Sequence, residues 1–154
     1  MNITDLITPD GILPNLRAGS KKQALQELAR KASDLVDLDA REIFDVLLER
    51  ERLGTTGVGH GIAIPHGKLA KLDRLHGVFA RLEKPIDFDA IDDEPVDLVF
   101  LLLAPETAGA DHLKALARVS RLLRDRGVCT QLRGCDTIDA IYALFNQVAT
   151  SDAA

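Results

Sequence analysis

The chain has 154 residues, 46% of them hydrophobic, and a formal net charge of −5 with an isoelectric point near 5.3. This length and composition predict one globular domain over residues 1–154 and argue against intrinsic disorder. An acidic chain without a basic block lacks the charge pattern of a protein that binds nucleic acid or membrane surfaces. The longest apolar run, residues 98–104, is far shorter than the about 20 residues of a membrane helix, and the amino terminus does not resemble a signal peptide. We therefore expect a cytoplasmic protein without membrane insertion.

The first third of the chain predicts two amphipathic helices behind a capping segment. Turn signals in residues 9–15 indicate that the first twenty residues cap the fold. Ser20 then begins a run with apolar residues at helical spacing, which predicts a helix over 21–36. The same signals repeat at Asp39 and predict a second helix from about 40 to 53.

A glycine-rich segment follows the second helix. Residues 57–67 read GVGHGIAIPHG, with four glycines in eleven positions, so the backbone can turn tightly and approach a ligand closely. The apolar residues 62–64 predict a short buried strand, which Pro65 stops.

The remaining residues predict strands followed by helices. In chain order, the predicted elements are a strand over 75–83 that ends at Lys84-Pro85, an acidic turn-rich segment over 86–95, a central strand over 96–104, a helix from about 111 to 126 that ends at Gly127, and a last helix that begins at Thr137. Together these patterns predict an α/β sandwich formed by one domain, in which a mixed β-sheet has helices on both faces.

His66 is the first candidate for chemistry, because it lies at the end of the short strand beside Gly67. Functional residues often lie on such turns next to a rigid element. A neutral imidazole is a nucleophile near pH 7 and needs no metal to become one. We predict that His66 carries a phosphoryl group. Some acceptor must then hold the proton of the other ring nitrogen, and the sequence does not identify it.

Two further polar residues share the inward faces of their helices. Arg50 is three residues past Leu47 and seven past Ile43, so it forms either a core ion pair or a ligand for phosphate oxygens. His112 heads the apolar stripe of its own helix, near free backbone N–H groups. It is either a hydrogen-bonded histidine at the edge of the core or part of an anion site. The sequence alone does not show that Arg50 and His112 meet His66.

For other polar residues the sequence suggests weaker roles, and some of these residues have two interpretations. The hydroxyls of Thr55 and Thr56 either bind phosphate oxygens or stabilise the turn. His60 either supports the site or faces solvent, and His76 is predicted to be structural. The acidic residues within 87–94 lack the spacing of a calcium loop and are predicted to be a solvated turn.

Two other classes of protein remain as alternatives. One is a metal hydrolase built on His60, His66 and His112, and the other is a binding module that is not phosphorylated. Cys129 and Cys135 are predicted to be reduced thiols, because a zinc site would need two more ligands nearby and no histidine follows His112.

Residues 50–67, RERLGTTGVGHGIAIPHG, resemble the active-site signature of the enzyme IIA domains of the phosphoenolpyruvate-dependent phosphotransferase system. The resemblance is to the fructose/mannitol class, and within it to the stand-alone enzymes IIA of the nitrogen-regulatory branch. It extends to residues 96–105 and to the spacing of His112, Leu113 and Leu116, and it spans about residues 3 to 148. One departure is His60, where this family often has asparagine.

This resemblance implies a complete set of roles. The histidine that matches His66 accepts a phosphoryl group on Nε2 from a phosphohistidine, the one that matches His112 helps to hold the phosphoryl oxygens, and Arg50 belongs to the same pocket. The turn that lines this pocket consists of Thr55, Thr56, Gly57 and Gly59. No metal or other cofactor is implied, because the phosphoryl group is carried covalently.

The resemblance also implies partners. The donor is an HPr-like phosphocarrier of the nitrogen system (NPr), which receives its phosphoryl group from phosphoenolpyruvate through enzyme I. The chain is then an enzyme only as a phosphotransferase component with a phosphohistidine intermediate. It is also a regulatory phosphoprotein, whose phosphorylation state is recognised by targets such as sensor kinases or potassium-transport regulators. The alternative within the family is a sugar-uptake enzyme IIA, which passes the group to enzyme IIB.

Overall fold

The computed structural model describes residues 1–153, with side chains through residue 150. The helices are α1 (Ile3–Leu6), α2 (Lys21–Val36), α3 (Ala40–Arg52), α4 (Ala110–Arg124), α5 (Arg126–Arg133) and α6 (Ile138–Ala153). The strands are β1 (Ile12–Leu16), β2 (Gly57–Gly59), β3 (Ile62–Ala63), β4 (His66–Leu69), β5 (His76–Ile86) and β6 (Val96–Pro105).

The strands form one mixed sheet in the order β1-β5-β6-β3-β2, with β4 also paired to β6. Both β3 and β4 run parallel to β6 in one register, since Ile62 pairs with Leu98 and His66 pairs with Leu102. Pro65 interrupts the line of pairing between them, yet its carbonyl accepts a hydrogen bond from the amide of Leu102 at 3.0 Å. The central strand β6 therefore positions His66.

Helices cover both faces of this sheet, which confirms the predicted sandwich. Alternate residues of β6 point to opposite faces, as a pleated strand requires. Val99 and Leu101 pack on the side of α2 and α3, whereas Phe100 and Leu102 pack on the side of α1, α4, α5 and α6. Each face thus has its own apolar core.

The structure corrects the predicted capping segment, because residues 12–16 form strand β1. This strand pairs with β5 alone and forms one edge of the sheet. Pro14 lies within it, and proline is compatible with an edge strand because one side of that strand makes no ladder hydrogen bonds. The turn signals of residues 9–15 concealed this strand.

Two predicted element ends were also wrong. Strand β5 continues past Lys84-Pro85 to Ile86, because its register shifts between Arg81 and Ile86 and the irregularity accommodates the proline. The long helix ends at Arg124, and Gly127 lies inside α5. Asp125 separates α4 from α5, because its carboxylate accepts a hydrogen bond from the amide of Val128 and so caps a new helix there.

Candidate functional site

His66 is the first residue of β4 and is half-buried. Its Nδ1 lies 2.9 Å from the carbonyl oxygen of Ile64. Because a carbonyl oxygen can only accept a hydrogen bond, this contact requires the proton on Nδ1. Nε2 therefore carries the free lone pair. The acceptor that the sequence could not identify is this backbone carbonyl.

The electrostatic surroundings of His66 favour the neutral ring. Burial is the largest effect and lowers the pKa of His66 below its usual value, whereas the hydrogen bond to Ile64 raises it. The positive charge of Arg50 lowers the pKa further, and the carboxylate of Glu51 raises it. The neutral imidazole, which is the nucleophilic form, thus predominates at neutral pH.

His112 lies in the first turn of α4 and faces His66. The ring centroids are 5.7 Å apart, and the ring planes are inclined by 62°. His112 is buried, with 5% of its surface exposed, and its pKa is lowered mainly by this burial and then by the charges of His66 and Lys68. Within the described residues its buried Nδ1 has no hydrogen-bond partner.

Arg50 lies in the last turn of α3, and its guanidinium is within electrostatic reach of His66. Its Nη1 donates a hydrogen bond to the carbonyl oxygen of Gly54 at 2.9 Å. This bond ties the side chain to the turn that follows its own helix. The structure therefore brings Arg50, His66 and His112 into one neighbourhood.

The threonines of the turn hydrogen-bond to protein groups in this structure. The hydroxyl of Thr55 donates to the carbonyl oxygen of Phe88 at 2.9 Å and accepts from the amide of Gly57 at 3.0 Å. The hydroxyl of Thr56 donates to the carboxylate of Glu51. These contacts favour the turn-stabilising interpretation of the two hydroxyls.

The two glycines of the turn pack against the acidic loop. A Cβ atom on Gly57 would lie 2.9 Å from Cα of Ala90, and Gly59 has a φ of +101° beside Asp92. Gly57 therefore permits a close backbone approach, and Gly59 permits a left-handed turn.

Glu51 is a buried carboxylate that the sequence analysis missed. Its Oε2 lies 2.6 Å from Nζ of Lys21, and the amide of Thr56 donates to it at 3.2 Å. A signal for this burial existed, because Glu51 continues the i, i+4, i+8 spacing of Ile43 and Leu47 on the inward face of α3. Glu51 joins α2, α3 and the threonine turn beside the histidine pair.

His60 lies apart from the His66–His112 pair. Its amide donates to Asp92 at 2.9 Å, and its ring lies 3.3 Å from the guanidinium of Arg126. Among residues 1–153, no group of three or more side chains of the metal-ligating types converges on one point. The three histidines of the hydrolase alternative are therefore not gathered in this fold.

The α/β sandwich thus holds two imidazoles and a guanidinium near one another, as the His66–His112 ring contact and the effect of Arg50 on His66 show. The family described as "Phosphoenolpyruvate-dependent sugar phosphotransferase system, EIIA 2" matches residues 5–148, and the chain belongs to this family. Within the described part of the chain, no helix combines the length and the hydropathy that crossing a bilayer requires.

Comparisons with individual proteins separate the branches of the family. The chain is 62% identical to the nitrogen regulatory protein of Bradyrhizobium diazoefficiens over 94% of each chain. The crystal structure of nitrogen regulatory protein IIA-Ntr from Neisseria meningitidis superposes with a TM-score of 0.88 at 32% identity, covering 93% of this chain and 98% of that one. A fructose-specific EIIA component from Haloferax volcanii is 37% identical over 96% of this chain and 99% of its own. The similarity favours the regulatory branch.

Proposed function

We propose that the chain accepts a phosphoryl group on Nε2 of His66 from the phosphohistidine of a small carrier protein and acts as a regulatory phosphoprotein. The observation that carries the proposal is the hydrogen bond from Nδ1 of His66 to the carbonyl oxygen of Ile64. It leaves Nε2 as the nucleophile. The N–P bond of the donor breaks while the bond from phosphorus to Nε2 forms, so the donor imidazole is the leaving group.

The neighbouring residues stabilise the charges of this transfer. The His66 ring becomes positive as Nε2 attacks, and the Ile64 carbonyl stabilises that charge through the Nδ1 proton. The phosphoryl oxygens are negative, and Arg50 and His112 are the groups that we assign to them. In-line positioning and charge stabilisation are the main demands of phosphoryl transfer. No resident cofactor or metal takes part in this scheme.

We assign the turn of Thr55, Thr56, Gly57 and Gly59 a supporting role in this pocket. Its hydroxyls and close backbone contacts hold the turn against Glu51 and the acidic loop. The turn thereby fixes the end of α3, from which Arg50 extends. We regard residues 1–154 as one functional domain.

The surface around the site favours a protein as the donor. Leu113 follows His112 and is 68% exposed, and Leu53 follows the helix of Arg50 and is 85% exposed. We assign these two exposed apolar side chains, each close in sequence to a helix residue of the site, to contacts with a protein donor. We infer that the donor is an HPr-like carrier of the nitrogen system, which is charged by phosphoenolpyruvate through enzyme I. The chain would then act in the cytoplasm.

The regulatory role is supported by the 62% identity to a nitrogen regulatory protein. Sensor kinases and potassium-transport regulators are the targets that we propose. A second candidate is a sugar-uptake enzyme IIA, which the fructose-specific relative at 37% identity favours. Deletion of the gene distinguishes the two. Loss of a regulator alters potassium or nitrogen responses, whereas loss of a sugar component abolishes uptake of its sugar.

The test of the chemistry is the intact mass of the protein after incubation with phosphoenolpyruvate, enzyme I and the carrier. We expect one acid-labile phosphoryl group on the wild type and none on His66→Ala. His76→Ala is the matched control, because His76 is also a half-buried histidine at the start of a strand and should leave phosphorylation intact. Phosphorylation of His66→Ala, or none of the wild type, would contradict the proposal.

A further inference from the structure

A concave surface lies between the β2–β3 hairpin and helices α4 and α5. It is a groove of about 830 Å³, which is within the range of small-molecule sites. Its lining includes Ile62, Ile64 and Leu123, and does not include His66, His112 or Arg50. The groove is thus separate from the proposed phosphoryl site.

The floor of the groove is apolar. Ile62, Ile64 and Leu123 present largely buried side chains there, together with Cys129. The thiol of Cys129 donates to the carbonyl oxygen of Leu123, and burial raises its pKa, so the thiol stays neutral. An apolar floor of this kind favours a ligand with an apolar body.

One wall of the groove is fixed by an ion pair. Nε and Nη2 of Arg133 donate to the carboxylate of Asp97 at 2.8 and 2.9 Å, and Nη2 also donates to the carbonyl oxygen of His60 at 2.8 Å. Gly61 permits this arrangement, because a Cβ atom there would lie 2.6 Å from Nη2 of Arg133. Asp97 therefore compensates the charge of Arg133, and both groups are structural.

The rim of the groove carries two further arginines. Arg124 is the last residue of α4 and Arg126 the first of α5, and both are exposed. The Arg126 guanidinium lies 3.3 Å from a ring nitrogen of His60. Arg124 and Arg126 both line the groove, so their guanidinium groups give it a cationic rim.

The carboxylates near the rim hydrogen-bond to backbone amides or to Arg133. The carboxylate of Asp125 accepts a hydrogen bond from the amide of Val128 and caps α5, and that of Asp92 accepts hydrogen bonds from the amides of His60 and Glu94. Asp97 pairs with Arg133. Hydrogen bonds to amides leave the negative charges of Asp92 and Asp125 in place, but neither residue lines the groove, whereas Arg124 and Arg126 do. The rim therefore favours an anion, which the planar guanidinium forks match.

We propose that this groove binds a small organic anion. The apolar body of the ligand lies on the floor formed by Ile62, Ile64 and Leu123. Its phosphate or carboxylate group accepts hydrogen bonds from Arg124 and Arg126. Binding there requires no phosphoryl group on His66, so this proposal and the proposed function can fail separately.

The test is an NMR titration of the isotope-labelled protein with phenyl phosphate and with benzoate. We expect saturable shifts of the Ile62 and Ile64 signals with at least one of these anions, at dissociation constants below about 10 mM. Benzyl alcohol, which lacks the charge, should bind with a dissociation constant at least about tenfold higher, because it cannot form the charge-assisted hydrogen bonds.

Variants locate the binding. The double variant Arg124→Gln/Arg126→Gln should weaken binding of the anion at least about tenfold. Arg121→Gln is the matched control, because Arg121 is an exposed residue of the same last turn of α4 and does not line the groove. The proposal is overturned if neither anion gives saturable shifts, if the shifts occur only around His66 and His112, or if the double variant binds as the wild type does.

Discussion

The carbonyl oxygen of Ile64 lies 2.9 Å from Nδ1 of His66, two residues further along the same chain. Pro65 lies between them, and its ring fixes its own φ at about −65°. The carbonyl of Pro65 is in turn bonded to the amide of Leu102 in the central strand. The backbone, and not a second side chain, therefore sets the tautomer of the nucleophile.

The first prediction concerns this tautomer. Unphosphorylated His66 should be the Nδ1–H form at neutral pH, because only that form donates to the Ile64 carbonyl. Its phosphorylated form should carry phosphorus on Nε2. Long-range ¹H–¹⁵N correlation spectra of the ring nitrogens measure both states. A predominant Nε2–H form, or phosphorus on Nδ1, would contradict the assignment.

The second prediction concerns the effect of Arg50 on His66. Arg50→Gln removes a positive charge that lowers the pKa of His66, so this pKa should rise toward its usual value. The ring is then protonated, and not nucleophilic, up to a higher pH. The acidic limb of the phosphorylation rate should move to higher pH accordingly. An NMR titration of the His66 ring measures the pKa directly.

Arg52→Gln is the control for this experiment. Arg52 lies in the same last turn of α3, but it pairs with Glu49 on the exposed face of the helix. Its removal should move the His66 pKa much less than the removal of Arg50 does. Equal effects of the two substitutions would show that Arg50 acts on His66 only through the general charge of the helix end.

The sequence predicted the long elements because their apolar periodicity determines their burial. An apolar stripe along one side of a helix, as in α2, α3 and α6, fits a helix that packs on a sheet. The continuous apolar run of β6 fits a central strand that is buried on both faces. Strand β1 was not predicted, because Pro14 and its neighbours are typical of turns and the strand forms only by pairing with β5. Helix α5 escaped because Gly127 resembles a helix end, whereas Asp125 two residues earlier caps a new helix.

The sequence indicated the candidate residues of the site one by one, but it could not predict how they are arranged. Nothing local to His66 or His112 shows that their rings lie 5.7 Å apart, because that distance depends on the pairing of β4 with β6 and on the packing of α4. His60 is informative in another way. Its φ of +57° is left-handed, a conformation in which asparagine and histidine are enriched. The asparagine that the resemblance implies at this position would meet the same backbone requirement.

The third prediction concerns the buried Glu51. Lys21→Met removes the ammonium group that lies 2.6 Å from Oε2 of Glu51 and leaves the carboxylate without its ion-pair partner. The free energy of unfolding should fall by about 2 kcal/mol, less than for a fully buried pair because Lys21 is partly exposed. Urea denaturation measures this change.

Lys22→Met is the matched control, because Lys22 is the exposed neighbour in the same first turn of α2, and it should change stability by less than about 0.5 kcal/mol. Adding Glu51→Gln to Lys21→Met removes the unpaired charge and should recover part of the loss. If Lys21→Met were as stable as Lys22→Met, the ion pair would contribute nothing to the free energy of unfolding.

The fourth prediction concerns the contact between β4 and α3. A Cβ atom on Gly67 would lie 2.5 Å from Cγ1 of Val46, and the branched valine side chain has little freedom to move away. Gly67→Ala should therefore lower the free energy of unfolding by about 2 kcal/mol. The same overpacking should push α3, and with it Arg50, away from His66.

Gly134→Ala is the control for Gly67→Ala, because a Cβ atom at Gly134 meets nothing closer than 3.5 Å and its φ of −87° suits an L-residue. It should change stability by less than about 0.5 kcal/mol. Val46→Ala should restore most of the stability lost in Gly67→Ala, because it removes the atom that the new methyl group meets. If the double variant were no more stable than Gly67→Ala alone, the cost would come from the strand backbone and not from the contact with α3.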